Sequence, residues 1–224
     1  ELAFSTWGMC PLDSHTTQTC LPNLKIIFYA AGSVKGFAEP YLQSGIKVTS
    51  AQSANAIPVA EYAAAQIILA NKGFFQSTVK YKEDYKAAKQ FANTYPGNYD
   101  TKVGIIGAGR IGRGVIERLA GYTLDFYVFD PFLPQEAADS LGVTKTSLEY
   151  IFANCQTISN HLANNPQTEG MLDGKLFKTM LPNATFINTG RGAQVVEQDL
   201  IEALKAEPNR TAVLDVTFPE PVKK

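Results

Sequence analysis

Three glycines, an aspartate and an arginine are the residues of this chain whose types and spacing could do chemistry. Gly107, Gly109 and Gly112 lie in the run from Val103 to Gly112 and fit G-x-G-x-x-G. In that pattern the first glycine permits a tight turn. The second lets the backbone approach a pyrophosphate, and the third lets a helix pack close to a strand. The pyrophosphate would rest on the N–H groups of a helix opening at about Arg110. A strand is predicted at Phe126 to Phe129 and leads into Asp130, about 20 positions after the glycines. That is where an acidic residue holds the ribose hydroxyls of NAD. The bland alternative is a nucleotide-type layer whose crevice holds nothing.

In open parallel sheets, ligands bind outside the carboxyl ends of the strands. That rule adds Gly32-Ser33-Val34, His161, Asn188-Thr189-Gly190-Arg191 and Asp215 to the candidates. Arg191 is the sharpest of these. A cation beside a nucleotide crevice suits an anionic substrate, because a guanidinium grips a carboxylate with two parallel hydrogen bonds. Its plain alternative is a structural ion pair. Asp215 and Glu220 are acids on a strand end and on the Pro-bounded loop Phe218-Pro219-Glu220-Pro221; solvated loop charge is the commoner reading of such a pair. A lone histidine such as His161 is more often structural than catalytic.

The elements that must position these residues alternate in type. Short strands are predicted at Leu2 to Ser5, Lys25 to Tyr29 and Ile46 to Thr49. The stretch holding Ser14 to Thr17 reads as polar connection, and Phe37 to Gln43 as a short helix. Pro58 suits a first helical turn, and Ala60, Ala64, Ile67 and Ile68 give the helix an apolar face. Lys72-Gly73 weakens it, and it resumes over Thr78 to Phe91. Asn93 to Asp100 reads as a linker. Beyond it, strands are predicted at 126–130, 156–160, 184–188 and 212–216. Helices fill 135–141, 147–153, 173–181 and 196–206, and Gly121 ends the helix that follows the glycine motif. This alternation defines an α/β chain with a doubly wound parallel sheet. The expected domains are 1–55, part of a smaller flavodoxin-like unit, and 56–224, a Rossmann-type dinucleotide-binding unit.

Bulk properties exclude several classes. The net charge is −1 and the basic residues are scattered, which argues against a nucleic-acid partner. No apolar run is long enough to span a membrane. Cys10, Cys20 and Cys155 are odd in number and lack metal spacing, so neither a structural metal nor a disulfide framework is expected, and a reducing cytoplasm is.

Taken together, Val103 to Gly112, Ile187 to Ala193 and Leu214 to Pro221 resemble the NAD-dependent D-isomer-specific 2-hydroxyacid dehydrogenases. Ile57 to Leu69 is similar to that family's long helix leading into the nucleotide domain, and Pro22 to Val34 to its substrate-domain strand and loop. The resemblance implies hydride transfer between NAD(H) and a small 2-hydroxy or 2-keto acid. Arg191 would bind the substrate carboxylate and polarise its carbonyl, and Glu220 would pair with a catalytic histidine. Asp215 would hold the nicotinamide amide and Asp130 the ribose, with the Arg110 and Ile111 amides on the pyrophosphate. Thr189 and His161 would line the cofactor, His161 without acid–base duty. The backbone of Ser33 and Val34 would receive the substrate carboxylate. A homodimer joined through the nucleotide domain is implied as well.

Two departures stand out. The loop Ala30 to Phe37 is less polar than the family's substrate loop. The family's acid–base histidine falls beyond Lys224, and neither His15 nor His161 occupies its position. The chain is therefore expected to be truncated at both ends. Three other readings stay open: an NAD-binding protein without turnover, such as a redox-sensing corepressor, another Rossmann dehydrogenase class, or an inactive fragment.

Overall fold

The computed structural model describes residues 1–220. They form two compact units, Glu1–Val59 and the chain from Ala60 onward, described separately.

The first unit is a parallel three-stranded sheet in the order β1-β2-β3. Its strands are β1 (Leu2–Ser5), β2 (Ile26–Tyr29) and β3 (Lys47–Ser50). Two helices connect them, α1 (Ser14–Cys20) and α2 (Ala38–Gln43). The core is Ile27, Tyr29, Ala31, Phe37, Tyr41 and Ile46. Helix α1 corrects the reading of Ser14 to Thr17 as mere connection. Its sequence is polar and has no apolar periodicity, so the helical signal is only its cap. The Asp13 carboxylate accepts the Thr16 amide at 2.8 Å, satisfying one of the donors that a helix start leaves open.

Helix α3 (Gln52–Asn71) runs across the boundary between the units. Pro58 lies inside it, not in its first turn. The Asn55 amide already bonds the Ala51 carbonyl, so the helix is wound before the proline is reached. From Ala60 on, its buried apolar residues are Ala60, Ala63, Ala64, Ile67 and Ala70. That is the i, i+3, i+4, i+7 stripe of a helix with one face in a core, and it supports the helix despite the hydrogen bond that proline omits. Two helices follow, α4 (Phe74–Lys80) and α5 (Tyr85–Ala92), where one was expected.

The second unit holds a parallel six-stranded sheet. Its strands are β4 (Tyr99–Ile106), β5 (Thr123–Phe129), β6 (Thr144–Lys145), β7 (Thr157–Asn160), β8 (Thr185–Asn188) and β9 (Thr211–Leu214). The helices between them are α6 (Arg110–Leu119), α7 (Gln135–Ser140), α8 (Leu148–Asn154), α9 (Gly174–Phe177) and α10 (Glu197–Ala206). Residues 99 and 100 belong to β4 rather than to the expected linker, and α9 is shorter than predicted. Gly121 does not cap α6, which ends at Ala120 with right-handed backbone. The two faces of the sheet separate the core by residue parity. Val103, Ile105 and Ile187 join α3 and α6 on one side. Ile106, Ile158 and Phe186 join α8, α9 and α10 on the other.

The strand order is β6-β5-β4-β7-β8-β9. Counted within this unit it is 3-2-1-4-5-6, the dinucleotide-binding order whose ligand crevice lies where the winding reverses. That point is between β4 and β7, whose carboxyl ends deliver Gly107 and His161.

Candidate active site at the sheet reversal

The turn after β4 is built by its glycines. Gly107 has φ +93°, a conformation open to glycine, and its amide bonds the Phe129 carbonyl of β5 at 2.8 Å. A Cβ on Gly107 would stand 3.0 Å from the His161 carbonyl and the Leu162 nitrogen. The glycine thus admits the backbone that leaves β7. Gly112 is buried, and a Cβ there would lie 2.1 Å from the Gly107 carbonyl oxygen. Gly109 is exposed, with open space where a Cβ would be. It caps α6, and the first bond inside that helix runs from the Arg113 amide to the Gly109 carbonyl. The amides of Arg110, Ile111 and Gly112 therefore precede the intrahelical ladder, where α-helices receive anions.

Asp130 directly follows β5. Its carboxylate accepts the Ala108 amide at 2.8 Å and the Phe132 amide at 2.8 Å. Two backbone donors fix the acid beside the glycine turn. An open helix start, a backbone that can be approached and an anchored acid fit a dinucleotide.

His161 and Thr189 sit on the other side of the reversal. The His161 amide bonds the Ile106 carbonyl at 2.7 Å. Its ring is buried, with Nε2 3.0 Å from the Ser159 hydroxyl and Nδ1 2.9 Å from the Thr189 hydroxyl. The Thr189 hydroxyl also lies 3.4 Å from the Asn160 carbonyl. Burial pushes the imidazole down to about 3. The ring is neutral throughout the ordinary pH range.

Arg191 follows β8 and is partly exposed. Its guanidinium gives one hydrogen bond to the Gly190 carbonyl at 2.7 Å, which leaves most of its donors for another group. Its backbone is held by Asn188, a strand-end candidate, and by Asn160 and Gln194, which sequence reasoning missed. The Gln194 side-chain oxygen accepts the Arg191 amide at 3.1 Å and Asn160 Nδ2 at 2.8 Å. Asn188 Nδ2 donates to the Arg191 carbonyl, and Asn188 Oδ1 accepts from Asn160 and from the Gly190 amide. Gln194 Nε2 donates to the Leu162 and Ala163 carbonyls. Asn160, Asn188 and Gln194 are almost fully buried, and each donates and accepts. The available signal was two asparagines ending neighbouring strands, which the register places side by side; nothing marked Gln194.

Asp215 follows β9, with its amide on the Asn188 carbonyl. Its side chain and that of Glu220 are exposed. The segment between them meets the Arg191 turn at Gly192, where a Cβ would stand 2.1 Å from the Thr217 carbonyl. Ser33 and Val34 belong to the first unit. Ser33 is exposed, and the Val34 carbonyl accepts the Phe37 and Ala38 amides at the start of α2.

A parallel sheet wound in this order, with a glycine turn and an acid at its reversal, defines a dinucleotide-binding domain. The family model of the D-isomer specific 2-hydroxyacid dehydrogenase, NAD binding domain, matches residues 64–224, and the chain belongs to this family. It is 30% identical over 200 residues to a D-3-phosphoglycerate dehydrogenase of Synechocystis, covering 89% of this chain and 36% of that protein. It is 31% identical over 202 residues to the D-3-phosphoglycerate dehydrogenase of Methanocaldococcus jannaschii, covering 89% and 38%. The chain thus spans little more than a third of the curated relatives it matches. A structure of Rhodotorula graminis D-mandelate dehydrogenase in its holo form superposes with a TM-score of 0.83 at 19% identity, over 100% of this chain and 69% of that one; it supports the fold. Among the described residues no helix is long and apolar enough to cross a membrane.

Proposed function

We propose that this chain belongs to an oxidoreductase transferring a hydride between NAD(H) and a small D-2-hydroxy acid or its 2-keto acid. The pyrophosphate would lie on the Gly107–Gly112 turn, with the Arg110 and Ile111 amides toward it and Asp130 on the ribose. His161, Thr189 and Asp215 would line the nicotinamide end. When bound, the nicotinamide supplies or accepts the hydride. Arg191 would grip the substrate carboxylate and stabilise negative charge on the carbonyl oxygen. The backbone of Ser33 and Val34 would bind substrate carboxylate, with residues 1–55 as part of the substrate domain and 56–224 as the nucleotide domain. Glu220 would pair with the residue that moves the proton. We give His161 no acid–base role, as the family resemblance implies.

The observation that carries this reading is the route from Gly107 to Arg191. His161 has its backbone against Gly107 and its ring on Thr189, two residues before Arg191. A site for cofactor and a cation for substrate thus share one bracket. We further propose a homodimer, supported by exposed Tyr62, Phe74, Val79 and Tyr85 on α3, α4 and α5 and Tyr81 just after α4. A cytoplasmic location is supported by the free thiols of Cys10, Cys20 and Cys155.

A second reading is NAD binding without turnover, because neither His15 nor His161 matches the position of the family's acid–base histidine. Both readings require NADH affinity; only the first requires a carboxylate site. The test titrates NADH by its fluorescence, then oxamate, a 2-keto acid mimic, onto the NADH-loaded chain. Arg191→Lys should leave NADH affinity within about twofold and weaken oxamate by about tenfold or more, because Lys cannot reproduce the two-pronged contact. Oxamate binding that ignores Arg191, or equal losses for both ligands, refutes the first reading.

A further inference from the structure

A cluster outside the proposed site stands on the face of the sheet covered by α8. Lys102 of β4 donates from Nζ to the Tyr150 hydroxyl of α8 at 3.2 Å. The same ammonium lies 5.4 Å from the Tyr127 ring centroid and 5.6 Å from that of Tyr150. The two rings are 5.0 Å apart. All three side chains are partly exposed, so the cluster is open to small molecules.

We propose that Tyr150 is a modification site, the phenol of this chain that reacts first with electrophiles selective for phenolate oxygen, such as arylsulfonyl fluorides. A phenol becomes a nucleophile when its anion is stabilised. Here an ammonium and the hydrogen bond it donates meet one phenol oxygen, and both favour the anion. The neighbouring Tyr127 and the Lys102 ammonium draw the Tyr150 ionisation down, while Tyr127 is driven up. Tyr150 in turn holds the Lys102 proton more firmly. The other ionisable neighbours are Asp125 on β5, which acts on Tyr127, and Cys155 just after α8, which opposes the anion weakly. Burial pushes the Cys155 thiol up to about 12, so it is neutral and not a competing nucleophile. Burial likewise raises Tyr41 and Tyr95.

In the reaction the Tyr150 oxygen attacks sulfur. An O–S bond forms, the S–F bond breaks, fluoride leaves and the phenol proton passes to solvent. No oxidant or reductant is needed.

The test treats the 224-residue chain with limiting benzenesulfonyl fluoride at pH 7.5 and maps the adducts by peptide mass spectrometry. Tyr150 should label about tenfold faster than Tyr85 or Tyr99, although these are more exposed, at 66% and 71%. Tyr127→Phe and Lys102→Met should each slow Tyr150 several-fold, with thermal melting as the check on fold. If Lys102→Met does not fold, Tyr127→Phe alone decides, since it removes one hydroxyl from a partly exposed ring. Preferential labelling of Tyr85, Tyr99 or Lys102, or a Tyr150 rate unchanged in the folded variants, overturns the proposal.

Discussion

Gly112 and Gly107 touch backbone to backbone: a methyl group on Gly112 would sit 2.1 Å from the Gly107 carbonyl oxygen. That oxygen belongs to backbone and cannot swing aside, so the start of α6 and the turn that precedes it are fitted to each other. Gly112→Ala should destabilise the second unit by about 1–3 kcal/mol through overpacking. NADH affinity should fall by at least about tenfold as the turn opens. Gly109→Ala, with open space around it, should cost far less stability. Urea unfolding and NADH fluorescence titration separate the two variants.

Asp130 has a structural duty as well as a proposed ligand. Its two oxygens accept the Ala108 and Phe132 amides. Asparagine keeps only one acceptor oxygen. Asp130→Asn should weaken NADH by about tenfold while improving NADPH, because the charge that repels a 2′-phosphate is gone. Titration with both reduced cofactors checks this, and a wild-type preference for NADPH would contradict the assignment.

The buried His161 makes stability depend on pH. Its folded value of about 3 lies below the ordinary 6.5, so the unfolded chain binds the proton and the folded chain does not. The histidine's contribution is complete above about pH 6.5 and is lost as pH falls toward 3. Across that window it should steepen the loss by up to about 1.4 kcal/mol per pH unit. His161→Gln should show a flatter stability curve between pH 6.5 and 4 in urea titrations. An equal slope in both proteins would mean that the ring is accessible to protons in the folded state.

The amide cluster should act as a unit. Gln194→Leu leaves the Arg191 amide and one Asn160 donor unpaired, an expected cost of about 2–3 kcal/mol. Replacing Asn160 with Leu as well removes one of those orphans and restores apolar contact. The double variant should be more stable than the sum of the singles by about 1–2 kcal/mol. A double-mutant cycle from urea midpoints measures the difference, and strict additivity would show that the bonds do not cooperate.

What was legible in the sequence was local. The glycine turn, the acid after β5 and the arginine after β8 are each fixed by a few consecutive residues, and the structure puts each at the carboxyl end of a strand. The short strand β6 and the 3-10 turn Gly192–Gln194 were not legible, because neither carries a periodic pattern. Helix α1 escaped because its stripe is too polar to show. The start of α3 escaped because Pro58 is a stronger signal than the residues before it. The bond between Gln194 and Asn160 depends on β7 and β8 lying side by side, and such pairing is non-local.

Gly192 has one more consequence. With the carbonyl of Thr217 where its side chain would be, and the Phe218 amide held by Glu197 at 2.7 Å, the hairpin of chain bearing Arg191 is seated on the strand-exit segment that leads to Glu220. Cation and carboxylate are mounted on a common plinth. A shift in one loop must be answered by the other, so the Arg191 guanidinium cannot be re-aimed by changes confined to its own turn.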